Sequence, residues 1–178
     1  MSDLRRVLAA ADTAARWHTD QRRKGAAQEP YINHLLEVAH LVTEATGGRD
    51  ADLTIAALLH DAIEDCGITE AEITERFGTD VTALVAAVTD DKALPKAERK
   101  RLQIAHAAKT SDRAKILKLA DKTSNLRAMK ASPPANWSAE RKQEYIAWAR
   151  AVVAGVRGAN PWLEAVFDQA AAEADAAI

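Results

Sequence analysis

The residues with the clearest capacity for chemistry are the adjacent pair His60 and Asp61, which end the apolar segment IAALLHD. An imidazole and a carboxylate at the end of a buried segment would be costly to bury without partners. A divalent cation removes that cost, because it accepts a neutral imidazole and a carboxylate together. Since a His-Asp pair can also be an ordinary solvated pair, a metal site requires further ligands.

Two more polar residues interrupt apolar stretches: His34 in PYINHLLEVAH and Asp121 in ILKLADKTSNLR. Taken singly, His34 could cap a helix or pack in a core, and Asp121 could pair with a neighbouring lysine. Together with His60 and Asp61, they would place two histidines and two aspartates around one metal. Such a set leaves coordination positions open for water and substrate, which favours a catalytic over a structural metal site.

A pair of carboxylates, Glu64 and Asp65, follows one helical turn after His60 and Asp61. On one continuous helical surface, Glu64 would lie near His60 and Asp65 near Asp61. The alternative, an exposed acidic helix C-terminus, is disfavoured by the helix dipole. One carboxylate can orient or deprotonate a water molecule held by the metal, and its partner can protonate the departing oxygen. We therefore predict Glu64 and Asp65 as the catalytic residues.

Two basic runs accompany these residues. Arg22 to Lys24 could pair with phosphate or stack on a base, and its proximity to His34 favours ligand binding over a solvated face. The second run, PKAERKR at 95–101, is expected on an exposed helix, where it could balance Asp90 and Asp91.

The remaining histidines, His18, His40 and His106, lack comparable carboxylate neighbours, and packing or surface roles are expected for them. Cys66 has no evident base beside it, so a nucleophilic role is not expected.

The elements that must position these residues are helical. Apolar residues recur at helical spacing, as in Leu35, Val38, Ala39 and Val42, with little of the alternation typical of strands. Glycine and proline punctuate the chain at 25–30, 47–48, 67, 78, 95, 133–134 and 158–161. The pattern predicts an all-α fold of about eight or nine short helices.

Two helix starts carry recognisable caps. Thr69 and Glu72 have the spacing of a capping box, and Ser138 is a good N-cap residue for a helix that includes Arg141.

Length and composition limit the partners. A chain of 178 residues suits one domain, spanning 1–178, and 48% hydrophobic residues suit a folded core. The net charge of −2 provides no global field for nucleic acid or an anionic membrane, so we expect a small ligand that meets a local basic patch. A single cysteine and the absence of a long apolar run favour the cytoplasm.

Several segments together resemble the hydrolase domain of RelA/SpoT proteins. They are HTDQRRKG, EPYINH, IAALLHDAIEDCGIT, FGTDVTALVAAVTDDK and KLADKTSNLRAM. Two others, ALPKAERKRLQ and NWSAERKQEYIAWA, resemble the stand-alone small alarmone hydrolases, the group that contains the metazoan SpoT homologue. The likeness extends over most of the chain.

This resemblance implies an HD-domain helical bundle, usually with manganese. It also implies hydrolysis of the 3′-pyrophosphate of the stringent-response alarmones ppGpp and pppGpp, yielding GDP or GTP and pyrophosphate. No synthetase or regulatory region is included in the resemblance, so the chain is expected to degrade alarmone without making it.

The resemblance carries over to individual residues. It implies the metal ligands His34, His60, Asp61 and Asp121 and the catalytic pair Glu64 and Asp65, the same sets that the residues themselves suggest. It further implies contacts of Arg23 and Lys24 with the guanine base or the phosphates, of Asn125 with the nucleoside, and of Arg141 and Tyr145 with the open side of the substrate.

The chain departs from the family pattern at Leu35, where proline is common, and at Thr123-Ser124, where a leucine followed by His or Tyr is common. Because the second departure adjoins Asn125, the smaller and more polar Thr123-Ser124 could reshape the nucleoside pocket, which bears on substrate preference more than on metal binding.

Two other functions are compatible with the sequence. One is a phosphatase acting on another nucleotide, such as the ribose phosphate of NADPH, and the other is a nucleotide sensor without turnover. The oligomeric state is not determined by the sequence.

Overall fold

A computed structural model describes residues 2–178 and contains ten α-helices in that part of the chain. They are α1 (Asp3–Trp17), α2 (Ile32–Thr46), α3 (Ala51–Leu59), α4 (Ala62–Cys66), α5 (Glu70–Phe77), α6 (Thr79–Val88), α7 (Lys96–Ala107), α8 (Asp112–Ala131), α9 (Ala139–Ala154) and α10 (Pro161–Ala176). The predicted all-α fold class is confirmed. No helix within residues 2–178 has the combination of length and apolarity needed to cross a membrane.

The helix boundaries follow glycine and proline at every predicted position, but two further breaks raise the number above the expected eight or nine. The first separates α3 from α4, where the backbone at Asp61 (φ −100°, ψ 0°) leaves helical geometry. The second separates α7 from α8, where the Ser111 side chain accepts a hydrogen bond from the amide of Ala114. Neither break contains glycine or proline, which is why the sequence did not indicate them.

The two predicted caps are present. Thr69 Oγ1 accepts from the amide of Glu72 at 3.2 Å, and Glu72 Oε2 accepts from the amide of Thr69 at 2.8 Å. Ser138 Oγ accepts from the amide of Arg141 at 3.3 Å.

Helix α8 lies at the centre of the packing and contacts α2, α3, α6, α9 and α10. Leu117, Leu119, Ala120 and Leu126, which point in different directions around the helix, are all fully buried. A helix that is buried on several sides must also bury its polar residues. Asp121, one turn after Leu117, is therefore held inside the protein rather than on its surface.

Helix α3 is buried along the whole length from Leu53 to Leu59. It packs against α1, α2 and α6 and points its C-terminal end, with His60, toward α8.

The loop between α1 and α2 carries the first basic run. It is closed by a bridge between Arg22 and Pro30, in which the amide of Arg23 donates to the carbonyl of Glu29 at 2.9 Å. At Gly25 the loop lies so close to the end of α8 that an added Cβ would stand 2.1 Å from the carbonyl oxygen of Ser132. Glycine at this position allows the loop to approach α8 and brings the basic run beside it.

One ion-pair network joins α3, α6 and α8. Asp50, the N-cap of α3, accepts from the amide of Leu53 at 3.0 Å and from Arg113 at 2.7 Å, and Arg113 also pairs with Asp80 at 2.8 Å. Burial raises the pKa of the Asp50 carboxyl, but the hydrogen bonds from Arg113 and Leu53 outweigh it, so the net pKa is lowered.

We predict that Asp50→Ala lowers the free energy of unfolding by about 1–3 kcal/mol at neutral pH, because it removes a helix cap and a charged hydrogen bond. Since the pKa is lowered on folding, this stabilisation is present above the ordinary pKa of aspartate and is lost as the pH falls through the folded value. The deficit of the variant should therefore shrink in acid. Denaturant titrations at neutral and acidic pH measure both effects.

Asp12→Ala is the matched control for this experiment, because Asp12 forms only an exposed pair with Arg16. The stabilising role of Asp50 would be contradicted if Asp50→Ala lost no more unfolding free energy than Asp12→Ala. It would also be contradicted if the loss were the same at neutral and acidic pH.

Candidate metal centre and substrate cleft

Four side chains from separate elements converge at one point. The Nε2 atom of His34, on α2, lies 3.4 Å from Asp121 Oδ1, on α8, and 3.7 Å from Asp61 Oδ2. The Nε2 atom of His60 lies 3.1 Å from Asp61 Oδ2 and 3.7 Å from Asp121 Oδ1. These are the four residues predicted from sequence as metal ligands, and the fold brings all of them together.

Both imidazoles are oriented by hydrogen bonds on their far side. Ser124 Oγ donates its single proton to Glu37 Oε2 at 2.6 Å. Its other hydrogen bond, at 2.8 Å from Nδ1 of His34, is therefore one that it accepts. Nδ1 of His60 lies 2.8 Å from the carbonyl oxygen of Ala57, which can only accept. Both rings therefore carry their proton on Nδ1 and present the lone pair of Nε2 to the centre, as metal-binding histidines do.

The Nε2 atom of His60 is buried and has no hydrogen-bond partner within the described residues. An unsatisfied buried polar atom is costly, and coordination to a cation would satisfy it. Nε2 of His34 and of His60 and a carboxylate oxygen of Asp121 all lie within 4.8 Å of one another. Two imidazole nitrogens and two carboxylates suit a divalent transition metal, so these residues fit such an ion.

The electrostatics of the cluster agree with this fit. Burial lowers the pKa of His34. Burial also opposes a charge on His60, but Asp61 and Asp121 outweigh it and raise the pKa of His60 well above its ordinary value. The two carboxyls have lowered pKa values despite burial, because the histidines and Lys122 favour their ionised form. The negative charge of the two carboxylates, which raises the pKa of His60, equally favours a divalent cation at the centre.

Asp121 divides its two oxygens between different partners. Oδ2 pairs with Lys122 Nζ at 2.9 Å, and Oδ1 faces the imidazoles and accepts from Asn125 Nδ2 at 2.7 Å. Burial opposes the charge on Lys122, but Asp121 outweighs it and raises the pKa of Lys122 to about 12. Asp121 therefore pairs with a neighbouring lysine, as one interpretation of the sequence predicted, and it also belongs to the cluster.

The cluster forms the floor of a cleft of about 800 Å³. His34 lies beneath the floor, only 3% exposed. The other predicted site residues line the cleft: His60, Asp61, Glu64, Asp65, Asp121, Arg23, Lys24, Asn125, Arg141 and Tyr145.

The acidic pair lies on α4 rather than on a continuous helical surface with His60, because the helix is interrupted at Asp61. Glu64 Oε1 accepts from Arg99 at 3.1 Å, and Asp65 accepts from Gln21 at 2.8 Å and from Lys92 at 2.9 Å. Burial, and then the carboxylate of Asp90, raise the pKa of Glu64. Both carboxylates face the cleft, where each is oriented by donors from other elements.

Arg23 and Asn125 are linked to the cluster by hydrogen bonds. Arg23 Nη2 donates to Asn125 Oδ1 at 3.3 Å, and Asn125 in turn donates to Asp121.

Sequence reasoning missed Tyr31, whose hydroxyl donates to Asp61 Oδ2 at 2.6 Å. Its position in PYINH, three residues before His34, was a usable signal, since residues three apart share a helix face.

Tyr145 and Arg141, which were predicted to contact the substrate, belong to an aromatic wall whose other members, Trp137, Trp148 and Lys100, the sequence did not indicate. The rings of Tyr145 and Trp148 lie 5.4 Å apart, Lys100 Nζ lies 4.8 Å from the centre of the Trp148 ring, and Arg141 lies 4.4 Å from that of Trp137. All five residues line the cleft.

The second basic run lies on a helix with no buried residue between 95 and 101, but part of the run lines the cleft. Lys96, Arg99 and Lys100 line the cleft, whereas Arg101 pairs with Glu98 on the outside. Lys96, Arg99 and Lys100 are three and four residues apart, so they share the face of α7 that borders the cleft, while Arg101 lies on another face.

Thr123-Ser124, which the sequence left as a possible influence on the nucleoside pocket, does not line the cleft. Both residues are fully buried beneath the cleft, and neither lines it. Thr123 donates to the carbonyl of Leu119 at 2.8 Å within its own helix, while Ser124 orients His34. The Ser124 side chain faces α2, where its hydroxyl contacts His34 and Glu37.

We predict that Ser124→Ala weakens metal binding by about 10–100-fold, because His34 loses the hydrogen bond that fixes its orientation. Isothermal titration of the metal-free protein with Mn²⁺ measures the change. The matched control is the adjacent Thr123→Val, which removes a hydroxyl that bonds only to its own helix. Undiminished affinity in a folded Ser124→Ala protein would contradict the orienting role.

The chain is similar to known proteins over most of its length. The family described as HD domain matches residues 10–150. The guanosine-3′,5′-bis(diphosphate) 3′-pyrophosphohydrolases MESH1 of Xenopus tropicalis and Homo sapiens are 50% and 49% identical to this chain. The alignments cover 94% and 92% of this chain and 93% and 91% of those proteins.

A solved structure, described as a metazoan ortholog of SpoT that hydrolyses ppGpp and plays a role in starvation responses, superposes with a TM-score of 0.89. It is 43% identical over 93% of both chains. From the matched family and the close likeness over nearly its whole length, the chain belongs to the HD domain family.

Proposed function

We propose that this protein is a guanosine-3′,5′-bis(diphosphate) 3′-pyrophosphohydrolase, which converts ppGpp to GDP and pppGpp to GTP with release of pyrophosphate. The observation that carries the proposal is the convergence of four ligand-type side chains and an acidic pair in one cleft with basic walls. The names of the MESH1 relatives, which match this chain over more than nine-tenths of its length, support the choice of substrate.

We assign His34, His60, Asp61 and Asp121 as the ligands of one Mn²⁺ ion. A divalent cation at such a site supplies a water molecule of lowered pKa and a Lewis acid for the phosphoryl oxygen. The orphaned Nε2 of His60 and the fixed tautomers of both histidines support this assignment.

Glu64 and Asp65 supply the proton transfers. In the proposed reaction Glu64 takes a proton from the attacking water as its oxygen bonds to phosphorus, and the bond from phosphorus to the 3′-oxygen of the ribose breaks. Asp65 provides the proton that the 3′-oxygen needs to depart. Arg99, Gln21 and Lys92 hold the two carboxylates in position at the cleft wall.

The walls of the cleft bind the nucleotide. Arg23 and Lys24 meet the phosphates or the guanine base, Asn125 bonds to the nucleoside, and Arg141 and Tyr145 cover the open side. Nine lysine and arginine side chains line the cleft against seven carboxylates. With a bound divalent cation the local charge is positive, which explains how a protein with a net charge of −2 can hold a polyanion.

The cytoplasmic location and the single domain over residues 1–178 remain predictions of the sequence.

We predict that the purified protein with Mn²⁺ converts ppGpp to GDP and pyrophosphate in equal amounts and that EDTA abolishes the reaction. A panel containing ppGpp, pppGpp and NADPH, analysed by ion-exchange chromatography, tests the substrate. Tight binding of ppGpp that stays intact for hours would establish a sensor instead. Preferential release of orthophosphate from NADPH would establish a different phosphatase.

We predict separate roles for the ligands and the acidic pair. Asp61→Ala and Asp121→Ala should lose both metal and activity, whereas Glu64→Gln should keep the metal while kcat falls by about 10²–10⁴-fold. Metal content by elemental analysis and kcat from initial rates measure the two effects. Glu98→Gln, at an exposed ion pair, is the control. Equal metal loss in all three variants would refute the separation.

A further inference from the structure

Lys118 is a buried cation without a partner. It lies on α8, three residues before Asp121, is only 7% exposed and lines the cleft. Within residues 2–178 it forms no hydrogen bond and no ion pair, in contrast to Lys122, which pairs with Asp121. Burial, and then the charge of Lys122, lower the pKa of Lys118 to about 8. A charge held this deep without a counter-charge is costly unless a ligand provides one.

Arg99 presents a second unsatisfied donor at the same wall. Its Nη1 pairs with Glu64, but its Nε is buried and lacks an acceptor among the described residues. Arg99 and Lys118 border both the main cleft and a smaller adjoining cavity of about 230 Å³. The two cations therefore face the same space beside the metal cluster.

The nearby polar groups leave these donors available. Asp121, Asp90 and Glu64 all favour the charged form of Lys118, but none of them pairs with it among the described residues. Glu64 is bonded to Arg99, and Asp90 accepts from Gln103 Nε2 at 2.6 Å. Gln103 Oε1, a buried acceptor that has no partner among the described residues, forms no hydrogen bond with either cation.

We propose that Lys118 and Arg99 form the subsite for the distal phosphate of the substrate's 3′-diphosphate. The inference rests on the proposed function, which places the reacting phosphorus at the cluster that includes Asp121, one helical turn from Lys118. The distal phosphate is one bridging oxygen away from that phosphorus, and its terminal oxygens provide the acceptors that Lys118 Nζ and Arg99 Nε lack among the described residues. The subsite makes the enzyme selective for a diphosphate over a monophosphate at the 3′ position.

The kinetic test compares Lys118→Met with the wild-type protein on ppGpp and on guanosine 5′-diphosphate 3′-monophosphate. Losing a charged hydrogen bond should lower kcat/KM for ppGpp by about 10–100-fold. The value for the 3′-monophosphate should change by less than about threefold, because that substrate does not reach the subsite. Lys130→Met is the matched control, because Lys130 lies on the same helix as Lys118 but forms an exposed pair with Glu173 of α10. It should leave both kcat/KM values unchanged. An equal loss on both substrates, or no loss on either, overturns the proposal.

A binding test does not depend on turnover. Metal-free wild-type protein, titrated calorimetrically with inorganic pyrophosphate and with orthophosphate, should bind pyrophosphate more tightly. Lys118→Met and Arg99→Gln should each weaken pyrophosphate binding by about 10–100-fold. Thermal unfolding verifies that both variants are folded. A wild-type protein without preference for pyrophosphate, or variants that keep it, would overturn the subsite. If the wild-type protein hydrolyses no alarmone but passes this test, the proposed function fails and the diphosphate subsite stands.

Discussion

The convergence of two buried imidazoles and two carboxylates at one point is the constraint on which the rest of the structure depends. Buried polar groups must be paired, so each ligand-type residue requires its own support from the surrounding helices. Ser124 and Glu37 provide that support for His34, the carbonyl of Ala57 for His60, and Lys122 for Asp121. The bonds from Ser124 to His34 and Glu37 join α8 to α2, whereas the supports of His60 and Asp121 come from their own helices.

Negative and positive side chains occupy different parts of the cleft around this point. Carboxylates concentrate at the floor and on α4, where a divalent cation is favoured, and lysines and arginines from the α1–α2 loop, α7, α8 and α9 form the walls. A phosphate group in the cleft would touch the cation on one side and basic side chains on the other. A net charge near zero for the whole protein is compatible with this local separation, because fields inside a cleft are set by nearby groups.

The accuracy of the sequence predictions differs between kinds of feature. Helices that end at glycine or proline were located, because these residues act on the backbone locally. The breaks at Asp61 and before Ser111 were missed, because they contain no such residue. The sequence did not show that part of 95–101 lines the cleft or that Thr123-Ser124 is buried, because helical spacing shows which residues share a face but not what that face contacts.

The sequence by itself determined the helical class, the ligand types at positions 34, 60, 61 and 121, the acidic pair, and the resemblance to alarmone hydrolases. These follow from residue identity and short-range spacing. Only the tertiary structure decided which nitrogen of each histidine faces the centre, that Tyr31 bonds to Asp61, and that Lys118 is buried without a partner. Each of these depends on contacts between residues distant in the chain, and on the burial that such contacts create, which local spacing does not encode.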